Sequence, residues 1–150
     1  MGAWIFAAII FATDQFTKAL IKARMVPNQS IPVIDNILHL TYVQNTGAAF
    51  SLLKGRIIFF VAVSLAVISV IIYYLIKVPD EKKFFKFALA LVLGGAFGNL
   101  ADRLRFGYVI DFIDFRVWPV FNVADSAVVI GVILLFYLIM FDRDILESLN

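Results

Sequence analysis

A chain with no cysteine and a single histidine, His39, has few routes to covalent or metal chemistry. Disulfides, thiolate nucleophiles and cysteine zinc sites are excluded, and one imidazole cannot build a histidine metal site or triad. Any reaction must run on carboxylates, hydroxyls or amides, with no metal and no cofactor expected. Two aspartates stand out. Asp111 lies in Val109-Ile-Asp-Phe112; read as a strand, its face also carries Val109, Ile113 and Phe115. Apolar surroundings of that kind raise a carboxyl pKa by desolvation. Asp114 would point the other way, where it can be solvated. Asp125 ends Phe121-Asn-Val-Ala-Asp125, at the opening of an apolar helix. Two carboxylates meeting in a dry site cannot both ionise cheaply, so one keeps its proton. Such a pair holds a general base for a water and a general acid for a leaving amine.

The other polar groups each have a structural use beside a chemical one. Asp14 and Lys18 are spaced i,i+4 in the favourable order and can form a neutral pair on one helix face. Gly94-Gly-Ala-Phe-Gly98 has the small-residue spacing of tight helix packing. Just beyond it, Asn99, Asp102 and Arg103 put an amide, a carboxylate and a guanidinium on one face, which a terminal salt bridge and a cap would also explain. Asn122 and Asp125 resemble a capping box, with Asp in place of Glu. Asparagine, arginine and glycine-rich backbone around two acids could equally hold a peptide and polarise its carbonyl.

The elements that position these groups follow from composition. Hydrophobic residues make up 63% of the 150 and charged ones 16%, with a mean hydropathy of +0.96. So short a chain cannot hide that much apolar surface from water. The bilayer is the solvent that fits, and a net charge of +2 gives no reason to invoke nucleic acid. Four spans are expected, at about 3–21, 57–76, 84–103 and 123–141, within one domain covering 1–150. The first carries Asp14 and Lys18, lacks a basic leader and reads as a retained helix, not a cleaved signal. Lys77-Val-Pro-Asp-Glu-Lys-Lys83 is a plain turn. Between the first two spans, Leu38, Leu40 and Tyr42 alternate with His39, Thr41 and Val43, a strand pattern. Asp35-Asn36 suits a hairpin turn, and Asn45-Thr46-Gly47 a break. Tyr108 to Trp118 is also strand-like, and apolar sheet of this kind can lie at the membrane surface, with Trp4 and Trp118 near interfaces.

An even number of spans returns both termini to one side and gathers Asn45, Asn99, Asp102, Arg103, Asp111, Asn122 and Asp125 at the other. Asn99 lies roughly 22 Å along its helix from Phe84. Charge does not orient the bundle. Lys77, Lys82, Lys83, Lys86 and Arg143 lie on one side, and Lys22, Arg24, Lys54, Arg56, Arg103, Arg105 and Arg116 on the other. The residues alone define an acid–base site at one membrane face and no substrate.

Five motifs in order add more. Asp14-Gln-Phe-Thr-Lys18, Asn45-Thr-Gly-Ala-Ala-Phe-Ser51, Gly94-Gly-Ala-Phe-Gly-Asn-Leu-Ala-Asp-Arg103, Val109-Ile-Asp-Phe112 and Phe121-Asn-Val-Ala-Asp125 together resemble the lipoprotein signal peptidases, the signal peptidase II family. The resemblance spans nearly the whole chain. It implies an α-helical integral membrane protein of the bacterial cytoplasmic membrane, with four transmembrane helices and both termini cytoplasmic. A small extracytoplasmic β-cradle and a short lid-like helix would fall within 24–56. The implied activity is an aspartic endopeptidase that removes signal peptides from diacylglyceryl-modified prolipoproteins, cutting on the N-terminal side of the lipidated cysteine. By the same resemblance Asp111 and Asp125 are the catalytic dyad. Asp14, Asn45, Gly47, Asn99, Arg103, Asn122 and Ala124 line or support the pocket, and Lys18 and Asp102 orient helices. Implied partners are prolipoprotein substrates, membrane lipids and a globomycin-type inhibitor, with the protein itself a monomer. Two other readings compete: a small proton-coupled transporter, since buried acids suit proton relay, and a membrane assembly factor with structural polar pairs. Transporter sites lie towards the midplane, whereas these acids gather at one edge.

Overall fold

Apolar side chains facing lipid cost nothing, so in a bilayer a helix needs length and not amphipathicity. A computed structural model describes residues 2–47 and 57–141. Its helices are α1 (Gly2–Arg24), α2 (Ile57–Lys77), α3 (Lys83–Phe106) and α4 (Val123–Phe141), each long and apolar enough to cross a membrane. Three strands lie between them: β1 (Ser30–Ile34), β2 (Leu38–Asn45) and β3 (Val109–Asp114). Large apolar side chains stand exposed along all four helices, Phe16, Ile58, Phe84 and Phe136 among them. The segment 48–56, part of the region expected to hold the lid, lies outside the described residues, as do Lys54, Arg56 and Arg143.

The central helix is α3. It packs against α1, α2 and α4, and most of its side chains are buried while the other three helices keep broad faces exposed. Glycines allow the close approach. A β-carbon on Gly98 would stand 2.5 Å from Asp14 Oδ2, and one on Gly95 would meet the Ala124 carbonyl. Small residues here bring polar groups of three helices into one layer. The apolar core of the bundle, including Ile71, Leu75, Phe85, Leu89 and Leu93, lies towards the opposite edge.

The strands form one antiparallel sheet in the order β1-β2-β3. Asn36, at φ 61°, sits in the tight connection between β1 and β2. The sheet rests on the end of α1 through Ile21, Met25, Tyr42, Ile110 and Phe112. Its third strand comes from beyond α3, so the cradle is not confined to 24–56. The expected strand from Tyr108 to Trp118 is also shorter than its pattern suggested. Asp114 accepts the Arg116 backbone N–H at 2.8 Å and its guanidinium at 3.2 Å, and Arg116 takes a left-handed φ of 65°. That turn ends the strand and reverses the chain, so Phe121 pairs back onto Ile113. The reversal is what delivers Asn122 beside Asp111.

Candidate active site

The site is built in two layers. The lower one is ionic. Lys18, 2% exposed, places Nζ 2.9 Å from Asp14 Oδ2, 3.0 Å from Asp102 Oδ2 and 3.0 Å from Asn99 Oδ1. An ammonium has three N–H donors, and here all three are used. The simple Asp14–Lys18 pair is thus a three-cornered support joining α1 to α3. One surplus negative charge remains, offset by N–H groups. Asp14 Oδ1 accepts the Ala124 N–H at 2.9 Å, in the first turn of α4, and Asp102 Oδ2 accepts the Ile110 N–H at 3.1 Å. A helix N-terminus favours negative charge, so Asp14 also ties α4 to α1. Gln15 completes the layer, donating to Asp102 Oδ1 at 3.0 Å, Asp14 Oδ2 at 3.2 Å and the Gly98 carbonyl at 3.3 Å. Sequence reasoning missed Gln15; its place beside Asp14 in the first motif was the only signal.

The upper layer holds the two aspartates, and Asn122 joins them. As the N-cap of α4 its Oδ1 accepts the Asp125 N–H at 2.8 Å, while Asp125 Oδ2 accepts the Asn122 N–H at 3.2 Å. The capping box is real. With Oδ1 so engaged, Nδ2 faces the other way and donates to Asp111 Oδ1 at 2.7 Å. It also reaches Asn99 Oδ1 at 3.2 Å and the Ile110 carbonyl at 3.3 Å. Cap and site are the same atoms.

Two further amides are oriented by the same logic. Asn45 Oδ1 accepts the Gly47 N–H at 2.9 Å, which Gly47 presents from a left-handed φ of 91°. Its Nδ2 therefore donates to Asp111 Oδ2, at 2.8 Å. The register makes this reach possible, since Val43 is opposite Asp111 and Asn45 lies diagonally on the same face. Asn99 Oδ1 is held by Lys18 and Asn122, leaving Nδ2 to donate to Asp125 Oδ1 at 2.7 Å. Every oxygen of both carboxylates thus accepts one protein donor.

The two acids differ in surroundings. Asp111, 1% exposed, is pushed up to about 7, first by burial and then by the charge of Asp125, against the hydrogen bonds of Asn45 and Asn122. Asp125 is only half-buried and opens on two cavities. One, of about 250 Å³, lies between α2, α3 and α4 and is lined by Val63, Val67, Asn99, Arg103 and Val128. The second, of about 450 Å³, lies outside α4 beneath Trp118 and Phe121. Arg103 faces the first, its guanidinium 5.3 Å from the Phe60 ring and donating to the Asn99 carbonyl at 3.4 Å. Asp114, which could have been solvated, is instead covered. It is 5% exposed, and the Thr41 hydroxyl at 2.7 Å, with Arg116, holds its carboxyl below the usual range. All eleven residues singled out in the sequence lie in or against these two layers.

Four helices apolar enough to cross a membrane, with a polar site at one edge, define a class, the polytopic membrane proteins. Two solved bacterial membrane enzymes share the fold: one determined by the in meso method at 2.3 Å superposes with TM-score 0.86 at 35% identity, covering 94% of this chain and 88% of that one. The other, at 1.9 Å, gives 0.86 at 34%, covering 95% and 94%. The family profile described as Signal peptidase (SPase) II matches residues 6–141. The lipoprotein signal peptidase of Moorella thermoacetica is 50% identical over 131 residues, covering 87% of each chain. That of Caldanaerobacter subterraneus is 49% identical over 138 residues, covering 91% and 94%. The chain belongs to the signal peptidase II family, bacterial membrane peptidases that remove signal peptides. The transporter reading of its intramembrane acids is set aside.

Proposed function

We propose that this chain is an aspartic endopeptidase that removes the signal peptide from diacylglyceryl-modified prolipoproteins, cutting on the N-terminal side of the lipidated cysteine, with Asp111 and Asp125 as its dyad. The observation that carries this reading is the hydrogen bonding around the pair. All four carboxylate oxygens receive a donor, and Asn122 serves both acids at once. No protein acceptor is aimed at either acid by these contacts, so a proton on the pair is directed towards water or substrate. Asp111, buried and pushed up to about 7, is the acid that carries the proton below neutral pH. Asp125, open to both cavities, is the base.

The reaction then balances without a cofactor. Asp125 takes a proton from water as the water oxygen bonds to the scissile carbonyl carbon, and Asp111 gives its proton to the carbonyl oxygen. The tetrahedral diol collapses as Asp125 protonates the departing nitrogen and Asp111 recovers a proton from a hydroxyl. The C–N bond breaks and both acids regain their starting states. Arg103 and the amides of Asn45 and Asn99 border the space where a peptide backbone would lie. An apolar groove under Trp118 beside the base suits a substrate whose lipid stays in the bilayer. In this reading the site faces the extracytoplasmic side, both termini are cytoplasmic, the protein works as a monomer, and a globomycin-type cyclic peptide competes for the same space.

The test is cleavage of a diacylated prolipoprotein by purified enzyme, followed on gels. Asp111→Asn and Asp125→Asn should each abolish product while leaving membrane insertion and cooperative unfolding intact. Normal turnover by either variant removes that residue from the chemistry.

A further inference from the structure

At the opposite edge of the bundle the chain carries a further cavity with a different character. It occupies about 360 Å³ where the first turn of α1 meets the end of α2 and the start of α3. These are the ends of three membrane-crossing helices, so the cavity sits at the level of lipid headgroups. Its rim is polar: Lys83, Lys86 and Asp80. Its floor is apolar: Leu75, 3% exposed, with Phe6 and Phe87 packed edge to face at 5.2 Å between centroids. Trp4 forms one wall and is 44% exposed, an indole at the depth where indoles collect.

Charge decides what such a cavity takes. Two lysines against one aspartate leave one positive charge in excess, which matches one phosphodiester. Asp80 is ion-paired with Lys86, fixing that ammonium at the rim, while Lys83 makes no side-chain ion pair among the described residues. A free phosphate would satisfy the rim and leave the aromatic floor wet. A zwitterionic headgroup would set its own ammonium against the lysines. A lipid with one phosphodiester and no cationic headgroup matches both halves, its phosphate at the rim and its first methylenes on Leu75, Phe6 and Phe87. Basic pockets between membrane helices bind anionic phospholipid headgroups in other proteins. We infer that this cavity is a binding site for a monoanionic glycerophospholipid of the leaflet opposite the peptidase site, held by Lys83 and Lys86 at the phosphate and by Trp4 and the Phe6–Phe87 pair along the upper chain. The inference stands apart from the proposed chemistry and needs none of its residues.

The chain has two tryptophans, so a Trp118→Phe background leaves Trp4 as a single reporter. The full-length protein is reconstituted in phosphatidylcholine, and Trp4 fluorescence is followed against increasing brominated phosphatidylglycerol or brominated phosphatidylcholine. Half-maximal quenching is expected at a mole fraction at least fivefold lower for the anionic lipid. Lys83→Gln with Lys86→Gln should erase that preference. Lys82→Gln, which removes one positive charge next to the cavity without lining it, should leave it in place. Asp80→Asn should sharpen it. Equal quenching by the two lipids in the parent protein overturns the site, a result that does not depend on any lysine variant folding. So does a preference that survives the double substitution, or one lost equally in Lys82→Gln, which would mark diffuse surface charge. Relief of quenching by millimolar soluble glycerol phosphate would assign the cavity to a free anion and overturn the lipid.

Discussion

Lys18 has its three hydrogens committed to Asp14, Asp102 and Asn99. Removing that ammonium strands two buried carboxylates, so Lys18→Met should destabilise the protein by about 3–5 kcal/mol, read as a fall in unfolding temperature in detergent. It also frees the Asn99 amide to rotate away from Asp125. Asp111 gives a prediction of opposite sign. Its carboxyl is raised from the ordinary 3.8 to about 7, so the stability of its neutral form is complete below about pH 4 and is lost as pH rises towards 7. The neutral Asp111→Asn should therefore be more stable than the parent, by an amount that grows between pH 4 and 7 and levels off at up to about 4 kcal/mol. Thermal unfolding across that range checks it; a pH-independent difference would contradict the assignment. If Asp111 is the acid of the proposed chemistry, the same ionisation should appear in turnover, with kcat/KM falling above about pH 7 as Asp111 loses its proton.

Between elements, the junction of β3 with α4 carries the most information. Asn122→Ser keeps an N-cap hydroxyl but loses the amide that reaches Asp111. Stability should change by about 1 kcal/mol while turnover falls at least tenfold, measured on the same preparation. Loss of both in proportion would show that the cap is all Asn122 provides. The capping box, the hairpin turn at Asn36 and the strand around Leu40 were legible in the sequence because each is a local signal. The joining of β3 to β2 was not, because periodicity shows which face a strand buries and not which strand it pairs with. For the same reason the cover over Asp114 was not legible: the Thr41 hydroxyl that covers it comes from a strand 73 residues away in sequence. Gln15 escaped because an amide bridging two carboxylates follows no spacing rule. Asn99 and Asp102 were read as a possible helix end, and only the arrival of Lys18 from α1 shows what they hold.

Across the whole molecule, α3 supplies Asn99, Asp102 and Arg103 and meets all three partner helices, so its packing governs the site. Gly98→Ala would press a methyl group against Asp14 and push α1 from α3, at a cost of about 1–3 kcal/mol. Gly2→Ala, with open space around it, is the matched control and should be silent in both unfolding and cleavage. The acids of the site are occupied by an ammonium and by amides, so a metal chelator should leave cleavage unchanged; inhibition reversed by an added divalent ion would refute the proposed chemistry. Among the described residues α2 and α4 each lean on α3 and contribute little to one another, and the smaller cavity beside Asp125 lies in the cleft they leave. In the proposed reading, a client that is itself a hydrophobic segment would reach Asp125 sideways, through the cleft between α2 and α4.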